Sequence, residues 1–174
     1  HHDNGGVVDI SLVNGTADSA EIGAIATGTT SANATLTRGI SQTGTGTDVT
    51  LNLTNDGALL VDAVAIASGG AGNASAQASV ETGIFQGATA TGGGPATVNL
   101  NNNGTLTVAA SAVATGTWAF ASASVDTGIS QSAWAQDGGT ASANLVNEGD
   151  LNVVANAVAT GNTSWAEATA SIDT

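Results

Sequence analysis

The chain contains no cysteine and no methionine, a single proline, five aromatic side chains and a single basic side chain among its 174 residues. The lack of cysteine excludes a disulfide framework and thiolate chemistry. The scarcity of aromatic residues argues against a core of large side chains, although 41% of the residues are hydrophobic. No apolar stretch approaches the roughly 18 residues that a transmembrane helix requires, so we expect no membrane insertion.

Positive charge is almost absent. Arg38 stands against fourteen acidic residues, which gives a formal net charge of −13. Binding to phosphate backbones requires a cationic surface, so the composition excludes nucleic acid as a partner. Only 9% of the residues are charged, and a disordered acidic tail is therefore a poor description as well.

What the chain does contain is a repeat of about 45 residues. One phrase, GISQ or GIFQ, recurs at spacings of 44 and 45 residues, and a second phrase of the form LxNxG recurs at spacings of 47 and 45. The copies are Gly39–Gln42, Gly83–Gln86 and Gly128–Gln131 for the first phrase and Leu53–Gly57, Leu100–Gly104 and Leu145–Gly149 for the second. We interpret residues 1–174 as one domain with approximate repeats 1–38, 39–82, 83–127 and 128–174.

Within one unit, glycines separate segments in which apolar and polar residues alternate. Leu106, Val108 and Ala110 share one face of such a segment, and Thr105 and Thr107 lie on the other. A period of two is typical of a β-strand, whereas alanine alone would also suit a helix. The alternation, the threonines and the glycines together predict an all-β fold.

Repeated strands that cannot bury a face alone predict a parallel β-solenoid with an Ala/Val/Leu/Ile interior. The simplest layout divides each of the roughly four units into two coils, each about 22 residues long, which is half of the repeat. Successive coils would stack at about 4.8 Å, so that equal residues lie above one another.

This layout predicts structural roles for the repeated residues. The glycines of the first phrase would form a turn, its isoleucines would enter the interior, and its glutamines would stack or bond to the backbone at the corner. These residues are Gly39, Ile40, Gln42, Gly83, Ile84, Gln86, Gly128, Ile129 and Gln131. The asparagines of the second phrase, Asn55, Asn102 and Asn147, are interpreted as corner residues rather than ligands.

The pattern LxNxGxLxVxAxAxA in residues 53–67, 100–114 and 145–159, with TGIxQ after the first two copies, resembles repeats of large bacterial surface proteins. These are autotransporter passengers, filamentous-haemagglutinin-like exoproteins and related repetitive adhesins. More distantly it is similar to curli-type fibre subunits, from which it departs in its alanine-rich strands and in a unit twice as long. The resemblance implies secretion, a location at the bacterial cell surface, and a role as a stalk, an adhesin segment or a matrix fibre.

Catalysis has little basis in this composition, because both histidines stand at positions 1 and 2 and no base is placed to activate a serine. We expect no enzyme. Calcium is the more serious candidate, since hard cations prefer carboxylate and carbonyl oxygens. A weak calcium column would consist of Glu81, Asp126 and Asp173, although Ala74 replaces the expected aspartate in the nearby GGAGNA stretch. The alternative interpretation is a solvated acidic column.

Both ends of such an array lack a cap of charged or bulky residues, and open β-edges invite pairing with another chain. Such ends are expected of a fragment cut from a longer array or of a subunit whose ends stack into a filament. Our hypothesis is the second, head-to-tail self-assembly into a fibre. Trp118, Trp134 and Trp165 would aid contacts between copies or else cover an apolar surface. The alternative function is an adhesin segment that binds a host surface, a glycan or another matrix component. A lower alternative, ice binding, follows from the threonine-rich stretch 37–50.

Overall fold

The computed structural model describes residues 2–3 and 6–173, and all its regular elements there are β-strands. The strands are β1 (His2–Asp3), β2 (Val7–Asn14), β3 (Ser19–Gly28), β4 (Ser31–Gly46), β5 (Asp48–Asn55), β6 (Ala58–Ser68), β7 (Ala74–Ala90), β8 (Ala96–Asn102), β9 (Thr105–Ala135), β10 (Ala141–Asn147) and β11 (Asp150–Ile172). The described part of the chain therefore offers no long apolar helix that would cross a membrane.

All strand pairs are parallel, and they form two sheets. The smaller sheet has the order β10-β8-β5-β2; the larger has the order β1-β4-β7-β9-β6-β3, with β11 paired to β9. β9 joins two parts of the larger sheet, because its residues 105–115 pair with β6 and its residues 119–135 pair with β7.

Three stacks of strands follow from this pairing. The first ladder contains β2, β5, β8 and β10. The second ladder contains β3, β6, residues 105–115 of β9 and residues 150–161 of β11. The third ladder contains β4, β7, residues 118–135 of β9 and residues 165–172 of β11, with β1 beside β4.

The register of the ladders corrects one expectation. Leu100 pairs with Leu145 and Leu106 with Leu151, so hydrogen-bonded partners lie 45 residues apart. Two coils per unit would require partners about 22 residues apart, and this layout is wrong. The physical reason is that the segments of one unit join three different ladders, so a whole unit adds a single layer.

Small apolar side chains fill the space between the ladders. Ala63, Ala65, Ala110, Ala112 and Ala121 are fully buried in one cluster, together with valines and leucines of the second and third ladders. A second cluster joins the first ladder to the end of the third and includes Val49, Leu51 and Val98. The interior is therefore built of alanine, valine, leucine and isoleucine, and the alanines let opposing strands approach closely.

Candidate functional site

The glutamines of the GIxQ phrase form a hydrogen-bonded ladder. Gln86 donates from Nε2 to Oε1 of Gln42 at 2.7 Å, and Gln131 donates to Oε1 of Gln86 at 2.8 Å. Each glutamine also donates to a backbone carbonyl of the first ladder, at Asn52, Asn99 and Asn144 respectively. Gln86 is fully buried, and its amide thereby links neighbouring layers and opposing ladders at once.

The asparagines of the LxNxG phrase form a second amide ladder. Asn14, in the layer before the first copy of the phrase, belongs to this ladder as well. Asn14 donates from Nδ2 to Oδ1 of Asn55, Asn55 to Asn102, and Asn102 to Asn147, at 2.6 to 2.7 Å. The first three also donate to backbone carbonyls of the next layer, at Ala58, Thr105 and Asp150. Asn55 and Asn102 are fully buried, so these bonds replace the hydrogen bonds to water that the amides lose on folding.

A third amide ladder on the outer face was missed in the sequence. Asn99 donates from Nδ2 to Oδ1 of Asn52, and Asn144 donates to Oδ1 of Asn99, both at 2.9 Å. In the first layer Ser11 takes the place of asparagine, and Asn52 reaches its Oγ at 3.5 Å. A signal was present, since each of these asparagines directly precedes the leucine of an LxNxG phrase.

The glycines of the GIxQ phrase do not form chain turns, and that expectation is wrong. Gly39, Gly83 and Gly128 lie inside β4, β7 and β9 without a positive φ. A Cβ on Gly83 would stand 2.6 Å from the carbonyl oxygen of Gly128 and 2.7 Å from the methyl groups of Val108. Close packing against the second ladder therefore excludes a side chain here, whereas the turn glycines with positive φ include Gly93 and Gly138.

The isoleucines that follow lie in the interior. Ile84 is fully buried, Ile40 is 6% exposed, and Ile129 near the C-terminal end is half-buried. Burial decreases from Ile84 to Ile129. It decreases in the same way from Gln86 to Gln131, the glutamines two residues later.

The acidic column follows successive layers of the third ladder but does not form a metal site in the described structure. Glu81 and Asp126 lie between paired residues of β7 and β9, and the amide of Asp173 donates to the carbonyl of Val125. All three side chains are exposed. Residues 2–3 and 6–173 contain no group of three or more histidine, cysteine or acidic side chains that would hold a metal ion.

Asp62 is an unexpected carboxylate on the outer side of the second ladder. It is only 7% exposed, and its Oδ1 is buried without a hydrogen-bond partner in the described structure. The side chain lies over Gly23, where a Cβ would come within 2.3 Å of that oxygen. Burial, with a smaller contribution from the charge of Glu21, raises the pKa of Asp62 above its ordinary value of 3.8.

The tryptophans are exposed rather than buried. Trp118 and Trp165 occupy neighbouring layers at the junction of the second and third ladders, with ring centroids 6.2 Å apart and planes tilted by 42°. Trp134 stands apart near the end of β9 and is 54% exposed. The only base, Arg38, lies over the ring of Phe85 at 4.7 Å.

The end layers leave the interior partly uncovered. In the column Leu12, Leu53, Leu100 and Leu145, the two middle leucines are 1% and 0% exposed, whereas the outer two are 42% and 46% exposed. At the C-terminal end a depression of about 310 Å³ is lined by Ile129, Leu145, Leu151, Val153 and Ile172, among others. Apolar side chains and strand edges are therefore presented together at both ends of the described structure.

Comparison of the chain with family models, with characterised proteins and with solved structures finds no match in any of the three.

Proposed function

We propose that the chain is a β-solenoid of about four repeats that serves as a structural protein of an extracellular fibre, a surface stalk or a biofilm matrix, and that copies assemble end to end. The observation that carries this proposal is the leucine column, buried in the middle layers and exposed at both ends. A further layer with the same pattern would bury Leu12 or Leu145 and continue the ladders. The bacterial surface location rests on the resemblance of the repeats.

The direction of the second amide ladder, formed by Asn14, Asn55, Asn102 and Asn147, supports head-to-tail contact. Each inner asparagine donates to the next one along the chain, from Asn14 towards Asn147. Within the described residues no donor reaches Oδ1 of Asn14, while Asn147 bonds only to the carbonyl of Gly149 with its Nδ2. Asn147 of one copy would therefore donate to Asn14 of the next. Contact between two like ends would place donor against donor or acceptor against acceptor.

Negative-stain microscopy of the purified chain, with and without calcium, tests this proposal. We expect long, uniform filaments one molecule wide, because a heterologous end contact does not close. Leu145→Lys should abolish them by placing a charge in the contact, whereas Val146→Lys, the same change on the neighbouring outward side chain, should leave them intact. Short dispersed rods under all conditions, or equal behaviour of the two variants, would contradict the proposal.

A second candidate function, an adhesin segment that binds glycans, is favoured by the exposed pair Trp118 and Trp165, which are 52% and 43% exposed. Indole rings offer flat apolar faces together with an N–H donor, a combination that suits the faces and hydroxyls of sugar rings. Oligosaccharide binding that quenches tryptophan fluorescence and is lost in Trp118→Ala, but not in Trp134→Ala, would support this function. Equal binding by the two variants would exclude this pair as the site.

A further inference from the structure

The last part of β9 has a neighbouring strand on one side only. Residues 127–135 pair with β7 along one edge, whereas β11 pairs with the opposite edge of β9 no further than Val125. In the described part of the chain, no strand pairs with this opposite edge between residues 127 and 135. A row of main-chain N–H and C=O groups is therefore open to a further parallel strand.

The inward side chains of this part of β9 are less covered than those of the preceding layer. Ile84 and Gln86 are fully buried in β7. Their partners in β9, Ile129 and Gln131, are half-buried. The contrast continues in the next two inward pairs, which are Ala88 with Ala133 and Ala90 with Ala135. One more strand over residues 127–135 would therefore cover a whole row of side chains.

The depression at the C-terminal end lies directly beside this open edge. Its lining includes Thr127, Gly128 and Ile129 of β9 and four apolar walls, which are Leu145, Leu151, Val153 and Ile172. The counterparts of these walls in the preceding layer belong to the core cluster that Ile129 packs against; they are Leu100, Leu106, Val108 and Val125. The depression therefore has the apolar surroundings that suit an isoleucine one layer beyond Ile129.

The glutamine ladder indicates a second feature of the occupant. Oε1 of Gln42 accepts from Gln86, and Oε1 of Gln86 accepts from Gln131. Within the described residues no donor reaches Oε1 of Gln131, whose Nε2 bonds to Gln86 and to the carbonyl of Asn144. A glutamine one layer further on would donate to this oxygen. An isoleucine and a glutamine two residues apart reproduce the GIxQ phrase.

We propose that the open edge of residues 127–135 and the adjoining depression form a strand-acceptor site. It binds an extended GIxQ segment of another polypeptide, in parallel with β9. All three GIxQ copies of the sequence already lie in β4, β7 and β9, so the occupant is a further segment. The pairing of β11 with β9 ends where this segment would begin, so the occupant continues an existing ladder.

The mode of binding is the addition of a strand to a sheet edge. Main-chain hydrogen bonds along the edge would provide the affinity, and the alternate side chains, isoleucine and glutamine, would provide the specificity. The inference goes beyond the proposed function, because a single chain binds such a segment without assembling.

Peptide binding to the unassembled chain tests this proposal. Leu12→Lys provides the background, because it places a charge in the N-terminal end contact and leaves the strand-acceptor site at the other end intact. The probe is the segment Gly83–Ala90, GIFQGATA, with both ends capped and a fluorescent label. We expect saturable binding in fluorescence anisotropy. The same peptide with Ile84→Lys should bind at least about tenfold more weakly, since lysine cannot be buried unpaired among apolar walls.

A pair of protein variants locates the site. Ile172→Lys changes a wall of the depression and should weaken peptide binding at least about tenfold. The matched control is Val158→Lys on the outer side of the second ladder in the same layer; the two native side chains are 47% and 43% exposed. This control should bind the peptide as tightly as the Leu12→Lys chain does. Equal binding by the two variants would overturn the proposal.

Hydrogen–deuterium exchange covers the case in which Ile172→Lys fails to fold, because it uses only the Leu12→Lys chain. Bound peptide should slow exchange in residues 127–135 at least about tenfold and leave residues 48–55 unchanged. The absence of saturable binding up to about 1 mM peptide, or slowing confined to other residues, would overturn the proposal. Filaments of the unaltered chain without peptide binding would overturn it while leaving end-to-end assembly in place. Peptide binding without filaments would support the site and contradict end-to-end assembly.

Discussion

The middle layers and the end layers share residues at several equivalent positions but place them in different surroundings. Leu100 and Asn102 are fully buried in β8, whereas their partners in β10, Leu145 and Asn147, are exposed. The sequence of a layer is therefore not what decides its burial. The neighbouring layer does, and a layer at either end gains the burial of a middle layer only when another layer covers it.

The difference has an energetic consequence. A buried amide must keep all its partners, because water cannot replace them, while an exposed amide exchanges its partners for water at little cost. The same holds for leucine, whose removal leaves a cavity only where the surroundings are closed. Identical substitutions in the two regions should therefore have unequal effects, and the predictions below compare them in pairs.

The largest expected effect is that of Asn55→Leu. The change removes the donor to Oδ1 of Asn102 and to the carbonyl of Thr105, both held by the buried Asn55, and it takes one of two acceptors from Nδ2 of Asn14, which keeps its bond to the carbonyl of Ala58. At about 1–3 kcal/mol for each buried group left unpaired, we expect a loss of about 4 kcal/mol in the free energy of unfolding. Denaturant titration followed by circular dichroism measures it.

The matched control is Asn147→Leu in the exposed end layer. It removes one acceptor from Asn102, which keeps its bond to the carbonyl of Asp150. We expect a loss of about 1 kcal/mol. Equal losses for the two variants would show that the buried amide ladder has no special role in the middle layers.

An intermediate effect is expected for leucine truncation. Leu100→Ala removes a fully buried side chain and should cost about 3 kcal/mol, while Leu145→Ala, whose leucine is 46% exposed, should cost about 1 kcal/mol. Thermal and denaturant unfolding of the dilute, unassembled protein measures both. Equal losses would show that Leu145 is as well covered as Leu100 in the protein in solution. This result would contradict the difference in burial between the end layer and the middle layer.

The smallest effect concerns Asp62 and has the opposite sign. Its raised pKa means that the folded protein binds this proton more tightly than the unfolded chain, so the penalty is full above the folded pKa and absent below about pH 3.8. Asp62→Ala, which copies Ala109 of the next layer, should therefore stabilise the protein by about 1 kcal/mol at neutral pH.

The stabilisation by Asp62→Ala should fade as the pH falls towards 4, because the wild-type carboxyl is then neutral as well. Stability measured against pH for both proteins tests this. Glu21→Gln, which removes the smaller contribution to the raised pKa, should give only part of the gain. A constant difference across the pH range would rule out titration of Asp62 as the cause.

Several features of the fold follow from the sequence alone. Alternation at period two predicts the strands, and the regular spacing of like phrases predicts parallel pairing of equal residues, since only that arrangement aligns them. The small interior follows from the alanines of the alternating segments. These features are local or strictly periodic, which is why a single sequence contains them.

Other features depend on contacts between distant segments. The sequence predicts the wrong number of strands in a layer, because glycines such as Gly83 resemble turn glycines, whereas the close approach of Val108 is what requires a glycine at this position. β9 consequently runs through Gly116 and Gly128 without a break. The sequence also contains no signal for the burial of Asp62, since this burial depends on Gly23 of another layer.

Hydrogen–deuterium exchange tests the central claim most directly, namely that the end layers are less buried than the middle layers because they lack a neighbour. In the dilute protein we expect fast exchange in residues 7–14 and 141–147 and slow exchange in residues 48–55 and 96–102. In concentrated, assembled protein the end segments should become as slow as the middle ones. End segments that exchange at the same rate in both states would contradict the account.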